Sequence, residues 1–158
     1  MVWRIYCSIP LLNEMTLEKM PFNDLVIFEG KFFTVGQDWE YPIQGFFILG
    51  AKRKVRSVSD FTQDESMEFV SLLQKTRDGM KEKLDIHDVY LFQNEDTEHG
   101  FHLWIFPRHA WMEKFGRKIQ SVRPIMNEAK EKRMTEKEIE KIKESVEKMR
   151  NYFKLKNK

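Results

Sequence analysis

The sequence has very little cysteine and no long hydrophobic run, and each absence excludes a class of protein. Cys7 is the single cysteine among 158 residues, so no disulfide can form within the chain and cysteines alone cannot build a zinc site. No apolar run approaches the ~20 residues that a membrane-spanning helix needs. Arg4 and Pro10 interrupt the first residues, which lack the basic start and apolar stretch of a secretory signal. We therefore expect a cytoplasmic protein with no membrane partner.

Charge is nearly balanced overall but uneven along the chain. The net charge is +2, from 27 basic and 25 acidic residues. Residues 113–158 carry 15 basic and 8 acidic side chains, whereas the rest carries 12 basic and 17 acidic. A basic C-terminal third is compatible with an anionic partner. Glutamates balance its lysines, however, and aromatic residues are not interleaved, so the pattern favours a solvated helix face over a nucleic-acid surface.

Hydrophobic periodicity predicts an α+β fold. Short β-rich runs over 25–49 precede a helical pattern that starts at the capping box Thr62-Gln63-Asp64-Glu65 and covers about 63–84. Two strands follow, at 89–93 and 101–106, and the rest is predicted to be helical. No repeat or flexible linker divides the chain. We expect a single domain over 1–158, with an antiparallel sheet, one long helix after the third strand and additional C-terminal helices.

Histidines are concentrated in one segment, where His99, His102 and His109 are three of the four in the chain. Histidine changes its charge near neutral pH and serves as a nucleophile or metal ligand. Side chains alternate along a strand, so the predicted strand 101–106 places His102 beside Trp104 on one face. The other face carries three apolar residues and is predicted to be the core side: Phe101, Leu103 and Ile105.

A nucleophilic histidine needs one free ring nitrogen, a partner for the other, and cations or amides near the developing anion. Arg108, whose planar fork suits phosphate, is a candidate for the last role. The alternative is that His102 is a half-buried strand histidine bonded to backbone. No metal site is predicted, because the histidine spacings differ from those of a helical pair and no acidic residue lies at ligand spacing. No cofactor is predicted either.

The segment around His102 resembles the signature of the histidine-triad family, in which three histidines alternate with apolar residues along a strand that often ends in Pro-Arg. Aligned on Pro107-Arg108, the triad positions fall at Gly100, His102 and Trp104. The chain is thus similar to a divergent member of the diadenosine polyphosphate hydrolase type that keeps only the middle histidine. The resemblance covers about 25–109 and implies a family core there, followed by a helical extension over about 110–158.

The resemblance also implies roles for individual residues. His102 matches the nucleophile that attacks a nucleotide α-phosphorus, and His99, which a loop brings near it, is a second candidate for catalysis. Asp38 falls at the position of the family's ribose-binding carboxylate. Lys54 replaces another active-site histidine, and Asn94 matches an asparagine near the phosphates. Three further residues are candidates for nucleotide contacts: Trp104, Arg108 and His109.

Two departures from the family bear on activity. Gly100 and Trp104 replace two triad histidines, and the family's Gly-Gln-Ser/Thr phosphate loop is absent. Losing such donors costs on the order of 3–4 kcal/mol each in transition-state stabilisation. Two functions stay open. One is a nucleotide hydrolase or nucleotidyl transferase acting on dinucleoside polyphosphates or nucleoside phosphoramidates. The other is a catalytically weak or inactive nucleotide-binding or interaction module. The family resemblance implies a homodimer through the long helix and an adjoining strand in both cases.

Overall fold

The computed structural model describes residues 25–156. Within this range five strands and three α-helices follow in the order that the sequence predicts, and the α+β fold class is confirmed. None of the helices within 25–156 has both the length and the apolar character needed to cross a lipid bilayer. The elements are β1 (Val26–Glu29), β2 (Phe33–Gln37), β3 (Phe47–Ala51), α1 (Gln63–Leu84), β4 (Val89–Phe92), β5 (His102–Pro107), α2 (Val122–Lys132) and α3 (Glu136–Lys156).

The five strands form one antiparallel sheet in the spatial order β1-β2-β3-β5-β4. The first three strands are consecutive hairpins. Helix α1 then carries the chain past the place of β5 to the edge strand β4, and β5 returns to pair with β3 and β4. Because β5 has a hydrogen-bonded neighbour on each side, the strand that carries His102 is held from both directions.

One face of the sheet packs against α1 and α3 and forms the main core. Phe101, Leu103 and Ile105 belong to this core, as the alternation in β5 predicts. Burying one large apolar side chain contributes ~1.5–3 kcal/mol, so this cluster dominates the stabilising terms. Its other members include large side chains from β2, β3, α1 and α3 that are at most 1% exposed: Phe33, Val35, Phe47, Leu49, Met80, Val146, Met149 and Phe153.

The other face of the sheet is covered over part of its width only. Trp104 and Phe106 lie in a second apolar cluster with Phe46, beneath the short helical turn Ala110–Phe115 and helix α2. The alternation in β5 predicts that only one face of the strand is buried. The structure differs, because this turn and helix α2 also cover part of the second face. Its cause lies outside β5, because residues after the strand fold back over its C-terminal half. His102, at the start of β5, lies where this cover ends.

The turn between β1 and β2 is held by a carboxylate from α1. Glu68 accepts backbone N–H bonds from Lys31 (2.7 Å), Phe32 (2.6 Å) and Phe33 (3.0 Å). A Cβ atom at Gly30 would lie 2.7 Å from Glu68 Oε1, so a larger residue at this position would displace the carboxylate from these bonds. The hairpin and the long helix are therefore joined by charge-assisted hydrogen bonds as well as by packing.

Replacing Glu68 with alanine is expected to lower the free energy of unfolding by about 2–3 kcal/mol, because backbone N–H groups lose a charged acceptor. Urea denaturation measures the change. The Glu82→Ala variant truncates an exposed carboxylate on the same helix and is the matched control, with an expected change within about 0.5 kcal/mol. Equal losses in the two variants would contradict the role assigned to Glu68.

Candidate active site

His102 is fixed by its own backbone. Its Nδ1 lies 2.9 Å from the carbonyl oxygen of Gly100. A carbonyl oxygen only accepts hydrogen bonds, so the proton of the neutral ring is on Nδ1 and the lone pair is on Nε2. The sequence left open whether His102 is a nucleophile or a backbone-bonded strand histidine. The geometry shows the backbone bond, and that bond leaves the other nitrogen available.

His102 lies in a row of residues that crosses three strands. Thr34 on β2 pairs with Gly50 on β3, and Gly50 pairs with His102 on β5. Residues directly opposite in antiparallel strands point to the same face of the sheet. The next row on this face contains Gly36, Ile48 and Trp104, in the same strand order.

The residues of the two rows on β2 and β3 are half-exposed, whereas the residues that alternate with them and lie between the rows, Val35 and Leu49, are buried. We call Thr34, Gly36, Ile48, Gly50 and His102 the open face, since all five are partly accessible to solvent. Phe33, Val35, Phe47 and Leu49, which alternate with them along β2 and β3, belong to the main core and are at most 1% exposed. The open face is therefore a surface to which a ligand has access, with His102 at one side of it.

Trp104 forms the boundary between the open face and the second cluster. Its ring packs at 5.3 Å against Phe46 and at 5.1 Å against Phe92. The ring of His102 lies 6.2 Å away on its other side. An indole held by two aromatic neighbours is part of the packing and supplies a rigid wall beside the imidazole.

His99 and Asn94 lie at the same end of the sheet as His102. The ring of His99 is exposed and its centre is 6.4 Å from that of His102. Asn94 is exposed. It follows Phe92 by two residues, and Phe92 pairs with Trp104. Both residues thus lie at the end of the sheet where β5 begins.

A basic segment, Lys52 to Arg56, lies beside this end of β5. The N–H of Phe101 donates to the carbonyl of Val55 at 2.6 Å, which fixes the segment next to the start of the strand. Arg53 is bound by Glu65, and Arg56 donates to the carbonyl of Glu95. Lys54 is exposed and has no hydrogen-bond or ion-pair partner within residues 25–156. Its ammonium group is the available cation of the segment.

Asp38 lies at the opposite end of the strands and is used by the local turn. Its Oδ1 accepts the N–H groups of Glu40 (3.0 Å) and Tyr41 (2.8 Å), and the residue is 4% exposed. Burial raises the pKa of this carboxyl to about 7. Asp38 is four residues beyond Thr34 along the chain, a distance of ~13 Å in extended backbone. The structure does not bring it to His102.

Arg108 also lies far from His102, beyond the other end of β5. Its buried side chain donates to the carbonyl of Gly116 (2.9 Å) and to Ser121 Oγ (3.3 Å). It lies 3.5 Å from Glu113 and its guanidinium covers the ring of Tyr90. These contacts attach the segment after β5 to the sheet, and they involve both terminal nitrogens of the guanidinium.

His109 lines a separate cleft of about 150 Å³ at that end of the sheet. Its Nε2 donates to the carbonyl of Gln44 at 2.7 Å. Burial lowers the pKa of His109, which favours the neutral ring. Of the residues predicted for the site, the structure groups His99, His102, Asn94 and Trp104 at one end of the sheet and places Lys54 on the adjoining basic segment. No group of three metal-ligating side chains is present in the described part of the chain.

Several residues of this site were not predicted from the sequence. Thr34, Gly36 and Gly50 are small residues at alternate positions of β2 and β3, a period-two signal that marks one face as open. Thr97 lies in the loop before β5, and its buried Oγ1 has no hydrogen-bond partner within residues 25–156. A buried hydroxyl without a partner is unusual, and no sequence pattern indicated it.

Comparisons with known proteins give evidence about the fold of this chain. No protein-family model matches the sequence, and no curated protein is significantly similar to it. Several solved structures are similar. One is the NitFhit protein of C. elegans, with 17% identity over 82% of this chain and a TM-score of 0.56, although this chain spans only 27% of that protein. A Hit-like protein involved in cell-cycle regulation from Bartonella henselae has 16% identity, a TM-score of 0.55, and coverage of 85% and 89% of the two chains. The diadenosine triphosphate hydrolase of Plasmodium falciparum has 16% identity, a TM-score of 0.51, and coverage of 81% and 87%.

Proposed function

We propose that this chain, which has the fold of the histidine-triad proteins, is a nucleotide hydrolase or nucleotidyl transferase with His102 as its nucleophile. The observation that supports this function best is the bond between His102 Nδ1 and the carbonyl of Gly100, at 2.9 Å. In the neutral ring that bond leaves the lone pair on Nε2, on a half-exposed face of the sheet. An oriented imidazole with a free lone pair is what nucleophilic attack on phosphorus requires.

The reaction divides into two displacements at the α-phosphorus. The Nε2 lone pair forms an N–P bond while the bond from phosphorus to the leaving group breaks with its electron pair. A phosphate leaves as the anion, whereas the nitrogen of a phosphoramidate takes a proton from the solvent and leaves as the amine. The ring now carries a positive charge, and its Nδ1–H bond to Gly100 stabilises that charge. Water then attacks phosphorus and gives its proton to the solvent, the electron pair of the N–P bond returns to Nε2, and the nucleoside monophosphate leaves. A hydroxyl or amine acceptor in place of water would give transfer.

Charge on the phosphate oxygens would be balanced by exposed groups near His102. Lys54 supplies a full positive charge, and His99 and Asn94 supply hydrogen-bond donors. Neither Gly100 nor Trp104 offers the imidazole that the two other triad positions have in the family. We therefore expect slow chemistry, since each missing donor costs on the order of 3–4 kcal/mol at the transition state. Dinucleoside polyphosphates and nucleoside phosphoramidates are the proposed substrates.

A second candidate function is nucleotide binding without turnover. It is favoured by the packing of Trp104 between Phe46 and Phe92, which leaves an aromatic wall where a third donor would stand. Such a site holds a nucleotide beside His102 but stabilises the developing charge poorly. The two candidates share the open face and differ only in whether a covalent bond forms.

The two candidates are separated by incubating the protein with diadenosine triphosphate or adenosine 5′-phosphoramidate. Quenching in denaturant at alkaline pH and measuring the intact mass should show a nucleotidyl adduct, with nucleoside monophosphate released over time. Thermal stabilisation by nucleotide without adduct or product would support the binding module. If no nucleotide shifts the melting temperature and no adduct forms, both candidates are wrong.

We also propose a homodimer that pairs through α1 and the edge strand β4, as the family resemblance implies. Leu91 on β4 and Met67 and Val70 on α1 are large apolar side chains with 49%, 65% and 50% exposure. An edge strand also offers unpaired backbone groups to a partner. Light scattering should give twice the chain mass of 19.1 kDa, and the mass of a single chain would contradict the dimer.

A further inference from the structure

The cleft beside His109 lies between the turn before β3, the segment after β5, the end of α2 and the first turns of α3. Its volume of about 150 Å³ is below the roughly 300–1,000 Å³ of pockets for drug-sized ligands, so it fits only a small molecule. From His102 to Pro107 the strand β5 spans ~17 Å, which separates the cleft from the candidate active site. Its polar and aromatic lining consists of Gln44, His109, Trp111, Arg133, Glu138 and Lys141. We call this space the His109 cleft.

Two cations of the His109 cleft share one carboxylate oxygen. Glu138 Oε1 lies 3.0 Å from Lys141 Nζ and 3.4 Å from Arg133 Nη2. The guanidinium of Arg133 lies over the ring of Trp111, 4.3 Å from its centre, and is held there. Arginine and lysine together have roughly eight N–H donors, whereas a carboxylate has about four lone-pair sites. The cleft thus has a positive charge in excess and donors that Glu138 cannot take up.

His109 offers a hydrogen-bond acceptor in the same cleft. Its Nε2 donates to the carbonyl of Gln44, so the lone pair of the neutral ring is on Nδ1. Burial lowers the pKa of His109, and the charges of Arg133 and Lys141 act in the same direction, so the ring is neutral near pH 7. Nδ1 makes no hydrogen bond within residues 25–156.

Nδ1 of His109 is also accessible. In the part of the chain that the structure describes, Thr97 Oγ1 is the one side-chain nitrogen or oxygen that is closed to solvent and without a partner. Nδ1 is therefore open to solvent, in a residue that lines the cleft. An accessible acceptor beside two cations matches a ligand that has a hydroxyl proton next to its negative charge.

We propose that the His109 cleft binds a small anion that carries both an oxyanion and a hydroxyl group. Hydrogen phosphate and α-hydroxy acids have this chemistry. The oxyanion accepts hydrogen bonds from Arg133 and Lys141, which are the side chains that bind such groups most strongly. The hydroxyl donates to Nδ1 of His109. Because none of these residues lies at His102, the inference is independent of the proposed function.

NMR of isotope-labelled protein tests the cleft directly, by titration at pH 7 with phosphate, sulfate, glycolate or acetate. The indole N–H signal of Trp111, identified by its loss in Trp111→Phe, should shift saturably. The indole signal of Trp104 reports separately on the end of the sheet that carries His102. Phosphate should bind at least tenfold more tightly than sulfate, and glycolate than acetate, because sulfate and acetate have no hydroxyl proton for His109. The tighter of phosphate and glycolate identifies the source of the anion.

Two substitutions should change the affinity in opposite directions. Arg133→Gln should weaken binding of the preferred anion at least tenfold, because the charged fork is lost. Glu138→Gln should strengthen binding several-fold, because it removes the negative charge that competes for the same cations. The matched control is Lys143→Gln, which removes an exposed positive charge from α3 outside the cleft. Its affinity should equal that of the wild type, and an equal loss in Lys143→Gln and Arg133→Gln would overturn the cleft as the binding site.

The wild-type titrations can overturn the proposal without any variant. Equal affinities within both pairs of anions would show that no hydroxyl bonds to His109. A shift of the Trp104 signal without one of the Trp111 signal would place the anion at the other end of the sheet. If none of the four anions gives a saturable shift of Trp111, the His109 cleft is not an anion site.

Discussion

Replacing His102 with alanine should abolish nucleotide hydrolysis and the nucleotidyl adduct together. The substitution removes the atom that we propose as the nucleophile, and losing a covalent nucleophile costs on the order of 10⁴-fold or more in kcat. No other imidazole in the described residues has its Nδ1 bonded to the carbonyl oxygen of the residue two positions earlier. His99 is near, but its exposed ring is not oriented by the backbone. Intact mass after a denaturing quench, together with initial rates, measures both losses.

The matched control is His87→Ala. His87 is exposed, pairs with Asp85 at 2.8 Å and lies in the turn after α1. Its loss should leave rates within a factor of two of the wild type. AMP should still bind to the His102→Ala protein, because the open face and the basic segment are intact. Turnover in His102→Ala within threefold of the wild type would show that another group is the nucleophile.

The free energy of unfolding should fall as pH rises from about 4 to about 7, because of Asp38. The folded carboxyl has a pKa of about 7, raised by burial from the ordinary 3.8. Between those values the folded protein holds a proton that the unfolded chain has released, so each pH unit costs about 1.4 kcal/mol, and the whole interval costs about 4 kcal/mol. Below the lower value both states are protonated, and that stabilisation is fully present.

The Asp38→Asn variant should lack this dependence. The amide oxygen can still accept the N–H groups of Glu40 and Tyr41, and the side chain is neutral at every pH. The free energy of unfolding of the variant, relative to that of the wild type, should therefore be higher by a few kcal/mol at pH 8 than at pH 5. Urea denaturation at the two pH values measures this difference. The difference between the two proteins cancels other titrating groups. Asp96→Asn, in an exposed loop, is the control. A difference that is equal at pH 5 and pH 8 would show that Asp38 ionises normally.

The elements of the fold could be predicted because their signals are local. The capping box at Thr62 to Glu65 begins α1 where predicted, and the alternation of Phe101, Leu103 and Ile105 identifies the main core side of β5. The second cover could not be predicted in this way. Phe46, Met112 and Ile125 come from distant parts of the chain and meet in one cluster beside β5.

The site was harder to predict than the fold, because residue type does not reveal burial. Arg108 and Asp38 have the chemistry that binds phosphate and ribose, yet the fold uses both internally. Thr34 and Gly50 carry no chemical signal of their own and gain meaning only from a register that aligns them with His102. Sequence patterns therefore indicated His102 as the candidate nucleophile, whereas the shape of the surface around it depended on strand pairing.

The atom that orients His102 belongs to the main chain. Any residue type at position 100 that follows the same backbone path offers the same carbonyl oxygen, so exchange of that side chain would leave the tautomer of His102 unchanged. The path is itself held from the next residue, since the N–H of Phe101 bonds to Val55 and its carbonyl accepts from Ala51. A residue at position 100 could thus be exchanged for glycine while the ring of His102 kept its alignment.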